Sequence, residues 1–527
     1  MCMKRYLRIL EVSQKQAYIF ASNKLKDNII NSAVIAYVIS PGYLKKILEG
    51  MEFSEEKNVV SSGGGNTVLE FSDIEKAKEA VQKITETIYR EFDGLELFAK
   101  TIECDETASL TESLQELKKA LERKKSVRRA AFHQETYGIE KISPKTLSAV
   151  AKNAVSKEKR DLQERELGQV SKEFCPPQFK VVNEFDRLGG EKNETNFIAV
   201  VHIDGNGMGA RVDSLYQAIG GEDWETAKEK LRQFSEEIDR DFKKAFQEMA
   251  EEIGESLENG SLKGKLALKD NDFPVRRVIT AGDDICYVTE GRLGIESARI
   301  FIEKLTQKRN KVDGNGYAAC AGVAIVHQKY PFYRAYELAE MLCSNAKRYG
   351  AEISPRDNGS SISSIDWHIE FGELKDSISK IRENYVTVDG NQLELRPYII
   401  DAPSQIMEDK IYIAKKYSSF KRIILAILAN ESKYGIGKIK GIRSALKKGD
   451  VATKNYLFFY QMEQILTENR PRNEEISEED MKRFFTGQVK KGEAFIEQPD
   501  QKKHSILFDA IELMDTYLAI EKEGEAL

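Results

Sequence analysis

The sequence predicts an α+β fold in which one α/β unit occurs twice, each copy followed by a helical segment. Three observations carry this. β-type runs alternate with helical periodicity over residues 1–105 and again over 191–355. Each copy opens on an extended run and later shows a glycine-containing hairpin signal, Gly63-Gly64-Gly65-Asn66 in the first and Ala281-Gly282-Asp283-Asp284 in the second. The intervening and final residues, 106–190 and 356–527, are charged and mainly helical in pattern, and read as a linker domain and a C-terminal domain. A chain of 527 residues needs more than one core, which agrees with such a division.

In order, the first unit opens with an extended run over 6–12, a helical stretch over 16–25 and a second helix over 32–48. Two β-type runs then flank the Gly63–Asn66 turn, and a helix over 74–91 and a strand over 95–103 complete the unit. The linker carries a break at Ser143-Pro144 and ends in a loop with Cys175-Pro176-Pro177 and Gly189-Gly190. The second unit repeats the order: apolar run 197–201, acidic turn, helix 224–253, hairpin 275–289, helix 292–311, strand 317–326, helix 332–349. The run from Ala318 to Val326 is continuously apolar, as a central strand covered on both faces requires. After a loop at 354–364, amphipathic stretches around 420–428, 456–466 and 506–518 predict helices.

An apolar fraction of 41% fits a folded chain. No run approaches the roughly 18 apolar residues of a membrane span, and the start Met1-Cys2-Met3-Lys4-Arg5-Tyr6 lacks a signal-peptide core, so a cytoplasmic location without membrane contact is expected. The six cysteines form no C-x-x-C pair, which argues against zinc and for reduced, mostly buried thiols. Against a net charge of −6 stand two basic stretches. One is Arg123-Lys124-Lys125 with Arg128-Arg129; the other holds Lys415, Lys416, Lys421, Arg422, Lys433, Lys438, Lys440, Arg443, Lys447 and Lys448. Such runs read first as solvated helix faces, and second as contacts for RNA phosphates or an acidic partner.

Chemistry concentrates in two acidic turns: Ile203-Asp204-Gly205-Asn206-Gly207-Met208-Gly209 after the first strand of the second unit, and Gly282-Asp283-Asp284 in its hairpin. Each alone is a common turn. Together, in one α/β unit and each at a strand edge, they supply what a palm-type nucleotidyl transferase needs. Joining nucleotides uses two divalent cations about 3.5–4 Å apart, and hard Mg²⁺ or Mn²⁺ prefers carboxylate oxygens. Asp204, Asp283 and Asp284 are the expected catalytic metal ligands. Gly205, Asn206, Gly207, Met208, Gly209 and Gly282 form the expected nucleotide-binding backbone, since glycine lets N–H groups approach phosphate oxygens at a helix start. Lys347, near the end of the last helix of the unit, is placed to reach a β- or γ-phosphate. His202 is expected to face away from Asp204, and no histidine is assigned to catalysis. Gly435-Ile436-Gly437 reads as a helix break rather than a DNA-binding hairpin. In the duplication, Leu10-Glu11-Val12-Ser13 takes the place of Ile203-Asp204-Gly205-Asn206, and Gly63-Gly64-Gly65-Asn66 that of the Gly282-Asp283-Asp284 hairpin, so only the second copy looks catalytic.

These motifs resemble the large subunit of type III CRISPR effector complexes, the CRISPR polymerase family related to GGDEF-type nucleotide cyclases. That family carries two palm domains, the second with a G-G-D-D hairpin and a D-G-D/N-x-M-G-like turn. Here they stand as Ala281-Gly282-Asp283-Asp284 and Asp204-Gly205-Asn206-Gly207-Met208-Gly209, with alanine for the first hairpin glycine. Ala321 to His327, and Pro331 on to Ala346-Lys347, resemble the final palm segment; Glu11-Val12-Ser13 with Gln16 to Phe20 resembles the opening of the first palm; Leu395-Arg396-Pro397-Tyr398 and the helical tail match more weakly. The resemblance implies two ferredoxin-like palms, a degenerate one at 1–105 and a catalytic one at 191–355. It also implies ATP-dependent synthesis of cyclic oligoadenylates in antiviral defence, triggered by RNA. Gly64, Gly65 and Asn66 would line an acceptor nucleotide site. Guide or target RNA and small and backbone subunits are the implied partners, through the C-terminal helical domain. The chain shows neither an HD nuclease domain nor the family's cysteine-rich zinc module, so cleavage of single-stranded DNA is not expected. A cyclase making another cyclic nucleotide, and a non-catalytic RNA-binding scaffold, are the alternatives.

Overall fold

The computed structural model describes residues 4–92, 94–105, 107–127, 156–188, 196–372, 377–463, 465 and 493–521. Arg128-Arg129, the Ser143-Pro144 break, Gly189-Gly190, and 464 and 466 of the 456–466 stretch lie outside these residues.

Four strands, β1 (Tyr6–Val12), β2 (Val59–Gly63), β3 (Asn66–Phe71) and β4 (Leu97–Glu103), form an antiparallel sheet in the order β2-β3-β1-β4. Six more, β5 (Phe197–Gly205), β6 (Val275–Ala281), β7 (Asp284–Glu290), β8 (Ala319–His327), β9 (Ser363–Glu370) and β10 (Tyr398–Asp401), form a second sheet ordered β10-β9-β8-β5-β7-β6. The block β6-β7-β5-β8 repeats β2-β3-β1-β4, so the duplication read from the sequence is a duplication of topology. In both copies the opening strand lies between the second hairpin strand and the closing strand. The register repeats as well: Glu11 stands opposite Asn66, and Asp204 opposite Asp284. The fold is α+β with two palms.

Alternation on β5 divides the packing. Ala199, Val201 and Ile203 join a core with Phe242, Phe246 and Met249 of the long helix Trp224–Glu258. Ile198 and Val200 join Leu25, Ile29 and Val34 of the first copy and Tyr336 of the helix Phe332–Ile353 in a second core. The two palms are thus joined by a shared apolar core, which fixes how their cleft is presented. β8 is central and buried up to His327.

Three sequence expectations are corrected. The single helix over 32–48 is two, Leu25–Val38 and Pro41–Ile47, because Ser40 caps a new helix whose first position is Pro41. The second sheet continues past residue 355: β9 runs parallel to β8, and β10 extends the edge. In β9 the polar residues Ser364, Asp366, His368 and Glu370 alternate with Ile365, Trp367 and Ile369, yet all are buried. Such alternation marks a strand, and what it conceals is that the polar face is covered as well. The C-terminal region is mainly helical, including Tyr417–Ala429, Ile436–Lys447, Asp450–Phe459 and Phe508–Leu513, but it also holds the hairpin β11 (Phe495–Glu497) and β12 (Lys503–Ser505).

Candidate active site

Asp204 is the penultimate residue of β5, flanked across the ladder by Asp284 on β7 and Cys320 on β8. The β6–β7 connection is a two-residue turn, Gly282-Asp283, closed by the pair Ala281 and Asp284. Gly282 has φ +67° and Asp283 a negative φ, as a type II′ turn requires, so glycine is the residue that fits there. The Gly205 amide donates to the Asp283 carbonyl at 3.2 Å, which ties the turn to the end of β5. Three aspartates therefore meet at one edge of the second sheet. Lys347 arrives from the helix Phe332–Ile353; its Nζ donates to Asp204 Oδ2 at 2.6 Å and to the Gly205 carbonyl at 3.0 Å.

Burial, and then the Asp204 charge, push the Asp283 carboxyl up to about 6 and the Asp284 carboxyl up to about 7. Glu340 adds to the rise at Asp284, while Lys15 and Lys347 oppose it. Asp284 Oδ1 is buried, and among the described residues no donor hydrogen-bonds to it. No three His, Cys, Asp or Glu side chains among the described residues form a ready metal cage. The chemistry of the donors nonetheless fits Mg²⁺ or Mn²⁺: all are hard carboxylate oxygens, one is orphaned, and two are raised well above their ordinary pKa by burial and by the neighbouring Asp204 charge, which a bound cation would offset. Such ions commonly take one or two carboxylates and complete their shells with substrate phosphate and water.

The loop after Asp204 divides its roles. The Asn206 amide group turns inward, donating to the Ile362 carbonyl at 2.6 Å and to Cys320 Sγ at 3.3 Å, and its backbone N–H is taken by the Ala318 carbonyl. Asn206 thus braces the loop with its side chain, and Gly205 does so with its N–H. Gly207, at φ +66°, caps the helix Met208–Ile219, whose first turn presents backbone N–H groups. A Cβ at Gly209 would meet no heavy atom within 4 Å, so the helix start is open at that point. Arg211 is engaged elsewhere, in a two-pronged pair with Asp313 at 2.9 Å on each arm.

In the first copy, Gly64 and Gly65 have φ +57° and +83° in a two-residue turn closed by Gly63 and Asn66. This turn covers Lys15, whose Nζ donates to the Gly64 carbonyl at 2.7 Å. Lys15 acts electrostatically on Asp284, so the first copy faces the acidic edge of the second. Gln16 Nε2 donates to Glu340 Oε1 at 2.9 Å across the same seam, and Phe20 packs on Tyr336 with ring centroids 4.4 Å apart.

Glu11, Lys15, Gln16 and Glu340 were not among the expected site residues. Two signals could have found some of them: Glu11 occupies the Asp204 position in the duplication, and Glu340 lies two helical turns before Lys347 on the same face. His202 is a correction. It lies two residues from Asp204, so strand alternation puts both on one face, and its Nδ1 is 3.5 Å from Asp284 Oδ1. Burial lowers its pKa, which favours the neutral ring.

The long basic stretch is also partly corrected. Lys415 and Lys421 are buried, Lys421 on Glu296 at 2.9 Å; Lys440 pairs with Asp515 and Arg443 with Glu512. Lys438, Lys447 and Lys448 are exposed. In the first basic run, Lys125 folds back onto Glu11 at 2.7 Å. Gly435, at φ +80°, breaks the chain before the helix Ile436–Lys447, as expected.

A strand-edge aspartate, an Asp-Asp hairpin and a glycine-capped helix start define a palm domain. Accordingly, residues 197–353, from the first residue of β5 to the last of the helix that bears Lys347, match the second palm domain of the Cas10/Cmr2 family. The fold of the chain as a whole is similar to that of Csm1 in solved Csm1–Csm4 cassettes. The apo cassette aligns with 98% of this chain and 70% of its own, at 15% identity and TM-score 0.54. The cassette in complex with cA4 gives 98% and 70%, at 15% identity and TM-score 0.55, and that with pppApApA 97% and 69%, at 16% identity and TM-score 0.52. Comparison with curated protein sequences returns no match.

Proposed function

We propose that the chain is a metal-dependent nucleotidyl transferase that converts ATP into cyclic oligoadenylates within a type III CRISPR-like defence system. The observation that carries this reading is the meeting of Asp204, Asp283 and Asp284 at one sheet edge beside a glycine-capped helix start. Cassettes of similar fold have been solved with cA3, cA4 and one ATP. Bound Mg²⁺ or Mn²⁺ would neutralise the triphosphate and lower the pKa of the attacking hydroxyl. Asp204, Asp283 and Asp284 would hold these ions. The first-turn N–H groups after Gly207 and the Lys347 ammonium would orient the triphosphate, with Gly282 at the rim of the turn.

A 3′-oxygen of one nucleotide attacks the α-phosphorus of the next. The new O–P bond forms as the bond to pyrophosphate breaks, and the hydroxyl proton leaves to water or to a carboxylate of the cleft. The last such step joins the free 3′ end to the 5′ α-phosphate and closes the ring. Gly64, Gly65, Asn66 and Lys15 of the first palm would line the acceptor side. A Csm4-like backbone subunit and RNA are the proposed partners, with the exposed Lys438, Lys447 and Lys448 as phosphate contacts.

The test is incubation of the purified chain with labelled ATP and Mg²⁺ or Mn²⁺, with and without co-purifying RNA and a backbone subunit, and mass analysis of the products. Phosphatase-resistant oligoadenylates are the expected outcome. A cyclic product from another nucleotide would move the reading to a different cyclase. Salt-sensitive RNA binding with no turnover of any NTP in the assembled complex would overturn it in favour of a scaffold.

A further inference from the structure

We infer that Lys347 is a built-in counter-ion that holds Asp204 closed to metal until a nucleoside triphosphate draws the ammonium away. This rests on the nucleotidyl-transferase reading above and adds a step to it: Lys347 has two successive partners, first a carboxylate and then a phosphate.

The geometry of the resting site carries the inference. Lys347 Nζ lies 2.6 Å from Asp204 Oδ2 and so takes one of the positions from which a cation could approach that oxygen. Mg²⁺ binds carboxylate oxygen at about 2.0–2.1 Å, so a metal added to the same oxygen would sit only about 4 Å from the ammonium, two cations repelling each other across one atom. A second bond to the Gly205 carbonyl fixes the ammonium over the strand end. Together these two bonds use two of its three protons. The pair is not sealed in the core: the Lys347 and Asp204 side chains keep 32% and 38% of their surface exposed, so an incoming ligand can reach both.

The helix behind Lys347 is anchored in the core, while the side chain that leaves it is partly exposed. Leu342, Cys343, Ala346 and Gly350 of its helix are buried, and the Cys343 thiol donates to the Cys320 carbonyl of β8 at 3.2 Å. A four-carbon stem on a fixed helix can swing between neighbouring anions without moving the fold. A triphosphate brings several negative charges, so it can displace one carboxylate as the ammonium's partner and return Asp204 to the metal. The same contact keeps the resting cluster from holding three uncompensated aspartates, because Lys347 opposes the charge on both Asp283 and Asp284. An ordinary surface ion pair would contribute little and would not need a place among three carboxylates.

The test is Mn²⁺ binding to the full chain, followed by electron paramagnetic resonance, with and without a non-reactive α,β-methylene analogue of ATP. In the wild type, Mn²⁺ binds weakly alone and much more tightly with the analogue. Lys347→Met should bind Mn²⁺ alone about tenfold more tightly than the wild type, the scale on which a neighbouring charge shifts a carboxylate equilibrium. It should also gain much less from the analogue. Lys347→Arg, which keeps the charge, should behave like the wild type without nucleotide, and Asp204→Asn in the Lys347→Met background should erase the gain. Should Lys347→Met not fold, as judged by circular dichroism, Lys347→Gln is read the same way. Equal or weaker Mn²⁺ binding by the neutral variants, with normal analogue-dependent binding by the wild type, overturns the counter-ion role and leaves the nucleotidyl-transferase reading standing. Absence of Mn²⁺ binding by the wild type even with the analogue overturns both.

Discussion

Gly322 offers the sharpest test of how the sheet positions the acidic edge. It lies mid-strand in β8, opposite His202 on β5 and Asp366 on β9. A Cβ there would stand 1.9 Å from the Ala339 carbonyl oxygen, 2.4 Å from the Cys343 amide nitrogen and 2.9 Å from Leu342 Cβ. The first two are backbone atoms of the helix Phe332–Ile353, so no rotamer change relieves the clash. An ordinary C···O contact is about 3.3–3.6 Å, so in Gly322→Ala the helix must retreat by about 1.4 Å. Overpacking of a tight core costs about 1–3 kcal/mol, and a backbone collision sits at the upper end of that range. At about 2.1 cal/mol/K of unfolding entropy per residue, about 3 kcal/mol lowers the melting temperature of a 527-residue cooperative unit by about 3 °C. The same retreat would stretch the 2.6 Å contact between Lys347, on that helix, and Asp204 on the sheet. The control is Gly209→Ala, in the first turn of the helix Met208–Ile219, where a Cβ meets nothing within 4 Å; it should be neutral or stabilising by about 0.4–1 kcal/mol. Thermal unfolding followed by circular dichroism measures both. A Gly322→Ala protein melting within about 1 °C of the wild type, or a Gly209→Ala protein destabilised as much, would refute the argument.

Asp283 and Asp284, at about 6 and about 7, bind protons more tightly folded than unfolded. Their contribution to stability therefore falls as pH rises from about 4 to about 7. The difference in denaturation midpoint between wild type and Asp283→Asn/Asp284→Asn should follow that slope, and Mg²⁺ should flatten it; a difference independent of pH would remove the argument. Asp283→Ala/Asp284→Ala should abolish product formation while leaving the melting temperature equal or higher, since two crowded carboxylates are lost; retained synthesis would sink their proposed role. Arg396 is fully buried between Asp509, at 3.6 Å, and Glu512, at 2.7 Å. Arg396→Met takes the buried guanidinium from both carboxylates, while Asp509 keeps the Leu395 amide and Tyr398 hydroxyl and Glu512 keeps Tyr385. It should therefore cost about 3 kcal/mol in urea unfolding, the lower end for a broken buried pair, and a loss under about 1 kcal/mol would show that the pair relaxes into water.

What the sequence disclosed was mainly local. Asp204, Asp283 and Asp284 were legible because a turn after an apolar run and a Gly-Asp hairpin are written within a few consecutive residues. Lys15, Gln16 and Glu340 were not, because they reach the cleft only through the packing of one copy on the other, and Gln16 and Glu340 are 324 positions apart. The basic stretch misled in the same way: the partner that buries Lys421 is Glu296, 125 positions upstream. β9 carries the alternation of a strand, and what its buried serines, aspartate and histidine conceal is that both faces are covered. His202 needed only correct counting, since a spacing of two along a strand keeps two side chains on one face.

The two copies explain each other's chemistry. Each has a left-handed residue three positions after the acidic one, Gln14 at φ +48° and Gly207 at φ +66°, and each of these caps a helix. The scaffold is therefore the same, and the differences lie in side chains. Where the second copy pairs Asp204 with Asp284, the first pairs Glu11 with Asn66, and Lys125 neutralises Glu11. Where the second copy has Met208, the first has Lys15, bonded to the Gly64 carbonyl and acting electrostatically on Asp284. Two acidic edges facing each other would repel across a partly buried cleft, whereas an acidic edge facing an amide and an ammonium does not. On the proposed reading this asymmetry assigns the roles. The acidic side holds the ions and the triphosphate that will lose pyrophosphate, and the other side, with no metal of its own, is left to present a 3′-hydroxyl.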